Sequence, residues 1–370
     1  MSASLAAPRS VADFPVLAAA AAALTGIGAI LAHDGAWRSV GLLLVAAVLG
    51  GIFLVKGFGY TGAFRAWLTR RDGAGLAAGI VVAMVAALVI VPVAALIDGY
   101  GGFEAPVGLP LIGGAMLFGA GMQWGNGCGS GTLYTAGGGS RRTWVVLPFF
   151  CAGGLLGSLA LPAAVALPAL PEVVLGRLLG PWIGLAATLG LAAALILVVI
   201  GRGPSPDLSR LRVAVLIGAL AALAFLLSGQ PWGVTTGLTL WGAKVAASLG
   251  FDVAHTTYWS WDGPKQALSG SILAQDSSLM DIGMILGATI AAARAGWFRR
   301  QPWPPARGLL GAAIGGLLMG FGARLSFGCN IGAMVGGIAS GSLHGFVWFF
   351  AALPGCWVGI RLRPWFGLGA

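Results

Sequence analysis

The chain alternates long apolar runs with short polar punctuation along its whole length. Runs at 14–31, 40–56, 76–97, 144–168, 181–201, 212–228, 281–296 and 345–361 are each near the apolar helix length that crosses a bilayer, about 20 residues. The first follows a short N-terminus with one arginine, and no cleavage pattern precedes the His33–Asp34 loop. It therefore reads as a retained span rather than a leader. Two further apolar regions, 109–140 and 308–342, are interrupted midway by glycine clusters, GNGCGSG from Gly125 and FGCNIG from Phe327. Each reads as a broken helix. Backbone released from helical geometry at membrane depth is tolerated only where protein buries it or where it lines a cavity, so both breaks point to a pathway.

Composition agrees with this pattern. Of 370 residues 58% are hydrophobic and only 9% charged, with mean hydropathy +0.92, whereas soluble domains carry about 25% charged residues. The expected class is an all-α polytopic membrane protein. The 63 glycines are spread through the apolar runs, which excludes a collagen or flexible-linker reading and suits closely packed or broken membrane helices. The net charge of +10 does not signal nucleic acid, because no basic run is long enough to form a footprint. Arg65, Arg70 and Arg71; Arg141 and Arg142; Arg202, Arg210 and Arg212; Arg294, Arg299, Arg300 and Arg307; and Arg361 with Arg363 mark one side of the membrane. His33, Asp34, Asp98, Glu104, Glu172 and the stretch from Asp252 to Asp276 mark the other. The positive-inside rule makes the first side cytoplasmic, with both termini inside and about ten crossings if each broken helix counts once.

Sliding the chain by 201 residues places Gly114 on Gly315, Leu117 on Leu318, Gly119 on Gly320, Gly121 on Gly322, Gly127 on Gly328, Cys128 on Cys329 and Gly131 on Gly332. A weaker match, offset by 174, pairs Gly59, Thr61 and Trp67 with Gly233, Thr235 and Trp241. Residues 1–175 and 176–370 thus read as two membrane repeats. Each has two spans, a short re-entrant segment, a span, a broken helix and a final span. An odd number of crossings per repeat inverts the second against the first, so the broken helices run antiparallel and their breaks meet near the midplane.

At each break a thiol, Cys128 or Cys329, is collared by glycine: Gly127 and Gly129 in one case, Gly328 in the other. Glycine lets backbone approach a solute and leaves unpaired N–H groups at the start of the next half-helix, which attract anions. A thiol is a polarizable, weakly hydrogen-bonding group suited to another sulfur atom. The combination points to a small sulfur-containing anion. Gln123, Asn126, Asn330 and Arg324 flank the breaks; Arg324 reads either as an anion attractor or as a snorkelling or carbonyl-capping residue. Thr61, Thr235 and Thr236 are placed to line the short segments, although membrane threonines more often bond their own backbone. Cys151 and Cys356 sit in ordinary apolar spans and read first as packing residues.

The three histidines are scattered and no cysteines have zinc-site spacing, so neither a metal, a cofactor nor an enzyme active site is expected. Covalent relay of sulfur between activated thiols ranks below passive hydrogen-bonded passage. The stretch from Lys244 to Asp281 reads as aqueous, its aromatics anchoring an interface. The few acidic residues within spans give no obvious proton relay.

These motifs resemble the YeeE/YedE family of bacterial sulfur-transport membrane proteins. The resemblance rests on GFGYTGAFR at 57–65, GNGCGSG at 125–131 and RLSFGCNIGAMVGGIASGSLHGFVWF from Arg324 to Phe349. It implies an hourglass of helices in the bacterial inner membrane. The implied activity is thiosulfate uptake, with cysteine thiols hydrogen-bonding the ion along a central path. Cys128 and Cys329 match two of the family's pathway cysteines, and relatives commonly carry a third where this chain has Gly59. A missing thiol leaves open a related sulfur or selenium species, or another small solute for which the thiols are not essential. Relatives often occur with TusA-like sulfur carriers, so a separate cytoplasmic carrier is an expected partner.

Overall fold

The computed structural model describes residues 12–369 apart from 202 and 299–302. Arg202, Arg299 and Arg300, used above to assign sidedness, lie outside the described residues. The chain is almost entirely helical. In the first half the helices are α1 (Phe14–His33), α2 (Trp37–Lys56), α3 (Tyr60–Arg70), α4 (Ala74–Leu96), α5 (Leu109–Gly125), α6 (Gly129–Gly137) and α7 (Arg141–Ala164). After the short α8 (Leu175–Leu179) come α9 (Pro181–Ile200), α10 (Leu208–Ser228), α11 (Thr235–Ser248), α12 (Asp262–Ser269), α13 (Asp276–Arg294) and α14 (Ala306–Leu325). A π-helical turn (Asn330–Gly336) leads into α15 (Gly337–Ala339), and α16 (Leu343–Leu362) closes the chain. Two-residue strands pair antiparallel, Val107 with Leu170 and Gly108 with Ala169.

Nine helical stretches among the described residues are long and apolar enough to cross a membrane. The slightly shorter α5, continued by α6, makes a tenth passage, and the fold is an all-α polytopic membrane bundle. Both expected breaks are present. Asn126 leaves α5 in the left-handed region at φ 60°, and Phe327 does the same after α14. Cys128 then caps α6, and Cys329 caps the π-helical turn.

The centre is a glycine-mediated crossing of α5 and α14. A β-carbon on Gly114 would stand 2.6 Å from the Gly322 carbonyl oxygen, and one on Gly121 would stand 2.8 Å from that of Gly315. The offset of 201 converts one pair into the other, since it carries Gly114 to Gly315 and Gly121 to Gly322. The flanking contacts repeat the exchange with α7 and α16 related by an offset of 202. Gly153 lies on the Leu317 backbone as Gly355 lies on Met116, and Gly157 lies on Phe321 as Gly359 lies on Ala120. Helices of this kind gain little from apolar burial against lipid, so backbone approach through small residues is what holds them together.

One boundary differs from the sequence reading. Helix α13 starts at Asp276, because the Gln275 side chain accepts the Ser278 N–H at 2.5 Å and caps it. Asp281 is therefore not the edge of an aqueous stretch but a fully buried residue more than a turn inside the helix.

Candidate functional site

Four helix starts meet around the two thiols. The Cys329 sulfur lies 2.9 Å from where a β-carbon on Gly129 would stand, and the Val234 side chain lies 3.6 Å from the same point. This brings together the N-termini of α6, the π-helical turn and α11. Tyr60, the first residue of α3, is within electrostatic reach of both Cys128 and Cys329. The first-turn N–H groups of α6 have a partner, because Gly131 donates to the Cys128 sulfur at 3.4 Å, with the Ser130 hydroxyl 3.5 Å from that sulfur. No side chain caps α3, whereas in α11 the Gly237 N–H donates to Ser277 at 3.1 Å and in the π-helical turn the Ile331 and Gly332 N–H groups turn to the Cys329 sulfur, so the free first-turn N–H groups and partial positive charge of α3 remain for an anion.

An aromatic wall encloses the same place. Phe53 stacks on Tyr134 at 5.7 Å and lies 6.0 Å from Trp232, while Phe58 meets Tyr60 edge-on at 6.2 Å. The Tyr60 hydroxyl, the Trp232 indole N–H and both side-chain polar atoms of Asn330 are buried without a hydrogen-bond partner. Buried polar groups in native proteins are nearly always satisfied, so a cluster of free polar groups next to the free start of α3 calls for a polar occupant. Sequence reasoning missed Tyr60, Tyr134 and Trp232. Their only signal is a polar-tipped aromatic beside each short segment.

Other expected residues fall elsewhere. Gly59 caps α3 with an extended backbone, and a β-carbon there would meet the Tyr134 hydroxyl at 2.8 Å. Gly59 and Tyr60 also line a cavity of about 360 Å³ whose rim carries Lys56, Arg70 and Arg210 with Asp72 and Asp207. Thr61 is buried with its hydroxyl unpartnered, and its carbonyl accepts from Gln123 at 3.3 Å. Thr235 is buried and its carbonyl accepts the Thr239 hydroxyl at 2.7 Å. Gly127 makes only ordinary contacts, whereas Gly328 packs on the Ala333 N–H of its own turn.

Asn126 and Arg324 flank the breaks in sequence but do not join the thiols. Asn126 is exposed and accepts from Arg65 at 3.5 Å and from Arg363 at 3.3 Å. Arg363 also donates to the Gln123 carbonyl at 2.6 Å, and Arg142 donates to the Trp124 carbonyl. Three guanidiniums thus surround the C-terminus of α5, where the helix dipole is negative. Arg324 donates to the Tyr258 hydroxyl at 2.5 Å with its guanidinium over that ring at 4.9 Å, which is the snorkelling alternative.

At the opposite end from the basic cavity, the segment 98–106 folds over the π-helical turn. Phe103 donates its N–H to the Ser340 hydroxyl at 2.8 Å, and its ring covers Gly332 and Gly336. Glu104 pairs with Arg177 at 2.7 Å. Burial pushes the Glu104 carboxyl above its ordinary value, and the Arg177 guanidinium pulls the other way. Among the described residues no group of His, Cys, Asp or Glu is arranged to hold a metal ion.

A polytopic bundle with two antiparallel broken helices meeting at buried thiols defines a membrane protein of the solute-transport class. The sulphur-transport family matches residues 57–358, and the chain belongs to that family. It is 30% identical over 283 residues to the thiosulfate transporter TsuA of Spirochaeta thermophila, covering 68% of this chain and 78% of that protein. It is 37% identical over 147 residues to the probable transporter YedE of Escherichia coli K12, covering 39% of this chain. The chain matches about a third, 35%, of the length of the two YedE proteins, from Escherichia coli and Salmonella typhimurium.

Proposed function

We propose that this protein carries thiosulfate or a similar small sulfur-containing anion across the bacterial inner membrane into the cell. The anion passes from the Phe103 end to Cys329, then to Cys128, and leaves past Gly59 into the basic cavity. The observation that carries this reading is the seating of Cys329 on Gly129, which puts both thiol-bearing breaks side by side among helix starts. The thiols donate S–H to the ion's sulfur, while Tyr60, Trp232 and Asn330 serve its oxygens. Lys56, Arg70 and Arg210 draw it outward on the cytoplasmic side. Residues 1–175 and 176–370 act as inverted repeats around this path, and both termini are cytoplasmic. The protein is a transporter and performs no chemistry on its cargo. A separate TusA-like carrier is the partner that takes the ion inside.

The test is uptake of sulfur-labelled thiosulfate into cells lacking their own route. Loss in both Cys128→Ala and Cys329→Ala, from protein expressed at wild-type level, supports the reading; normal uptake in both removes the thiols from it. The second reading, carriage of a selenium compound or another anion with dispensable thiols, is favoured by one observation. The space a Gly59 side chain would need is held by the Tyr134 hydroxyl. A panel of competing anions, scored against the cysteine variants, separates the two.

A further inference from the structure

Asp281 is fully buried, yet neither of its carboxyl oxygens has a hydrogen-bond partner. It is the one carboxyl with zero exposure among the described residues. It sits behind the thiols, between α13 and α11. A β-carbon on Gly237, in the first turn of α11, would stand 2.5 Å from its Oδ2, and the side chain is within electrostatic reach of the Cys329 and Cys151 thiols. Around it α11 is held by other groups. Ser277 donates to the Gly233 carbonyl at 2.8 Å and accepts the Gly237 N–H at 3.1 Å, and Trp241 donates to Ser278 at 2.7 Å. The anchoring of α11 on α13 therefore does not employ the carboxyl.

No cation faces it among the described residues. From α11, Lys244 turns its ammonium to the Leu268 and Gly270 carbonyls, both at 2.7 Å. From α2, Arg38 is exposed and Lys56 lines the basic cavity. Helix α6 brings Cys128 and Tyr134, while α1 brings Asp13, buried at its start against Ala293 at the far end of α13, and the exposed His33 beside Asp34. Arg324 on α14 is engaged with Tyr258. The titratable groups in reach are the two thiols. An ionised carboxylate in a dry site without a counter-charge costs several kcal/mol, a cost that a bound proton removes. An intramembrane carboxyl of this kind marks an ion or proton pathway.

The geometry points to Asp281 as the proton-carrying group that couples anion uptake to an inward proton gradient. This rests on the reading of the protein as a sulfur-anion importer. Entry of a dianion against an inside-negative potential costs about 2.3 kcal/mol per charge per 100 mV, and each proton entering with it cancels one charge. In the cycle the carboxylate takes a proton from the outer phase, holds it as the neutral acid while the anion passes, and the O–H bond breaks toward the inner phase.

The experiment uses the purified full chain in proteoliposomes with sulfur-labelled thiosulfate. Exchange at equal pH on both sides scores carriage; accumulation under an inward proton gradient at zero membrane potential scores coupling. The wild type is expected to accumulate several-fold more label with the gradient. Asp281→Asn, which imitates the neutral acid, is expected to keep exchange and lose the gradient response, while Asp281→Glu keeps both. A wild type that exchanges but ignores the proton gradient, or responds only to sodium, overturns the coupling and leaves the importer reading standing. So does an Asp281→Asn protein that still responds. A wild type without any exchange overturns both.

Discussion

Cys329 lays its sulfur on Gly129, so that the thiol of one broken helix rests on the backbone of the other, 2.9 Å from where a β-carbon would stand. The contact exists only because residue 129 has no side chain. Gly129→Ala should push the sulfur off its seat, at an overpacking cost of about 1–3 kcal/mol. Thiosulfate uptake should fall at least as far as in Cys329→Ala, with the protein still inserted in the membrane. Uptake unchanged from wild type would show that the juxtaposition of the breaks is not used.

Gly59 has an extended backbone that any residue adopts, so a cysteine there meets only the Tyr134 hydroxyl. Removing that hydroxyl should make room. Gly59→Cys combined with Tyr134→Phe is expected to react with a water-soluble thiol reagent through the basic cavity, several-fold faster than Gly59→Cys alone. Mass measurement of the labelled protein checks this, and equal rates would mean that Tyr134 does not guard the opening.

The α5 C-terminus depends on Arg363, which reaches the Gln123 carbonyl and the Asn126 side chain. Arg363→Ala should destabilise the detergent-solubilised protein by about 1.5–3 kcal/mol, the range for hydrogen bonds to charged groups. Arg363→Lys should recover only part, since a point charge cannot make the forked contact. Thermal unfolding of the three proteins tests the order.

Two glycines of α5 should respond in opposite ways. A β-carbon on Gly119 would run into the Ala352 carbonyl, whereas one on Gly113 meets nothing within 4 Å. Gly119→Ala should lower the yield of folded protein. Gly113→Ala should leave it unchanged or raise stability by about 0.5–1 kcal/mol through the lower entropy of the unfolded chain. Fluorescence-detected size exclusion of the two variants is a sufficient readout.

Much of the architecture was legible because a helix in lipid has to be apolar over a set length, and that requirement is written residue by residue. The breaks were legible for the same reason in reverse, since glycine clusters interrupt runs that otherwise continue. The misplaced start of α13 shows the limit. Asp276, Ser277, Ser278 and Asp281 look aqueous one by one, and the cap from Gln275 and the cover from Gly237 become visible only when α11 lies on α13. Asn126 and Arg324 were drawn to the thiols by nearness in sequence. A helix turns through about 100° per residue, so neighbours along the chain point to different surroundings, and these two found arginines and Tyr258.

The sequence alone determined the membrane class, the two glycine breaks, their thiols and the offset of 201 that relates them, because each follows from composition or spacing along one chain. Only the tertiary structure decided that Cys329 sits on Gly129 and that Tyr60 and Trp232 wall the same place. It alone decided that Tyr134 fills the room beside Gly59 and that Asp281 is dry and unpartnered. These depend on segments far apart in sequence packing backbone against backbone, and a glycine reports that close approach is possible without naming what approaches.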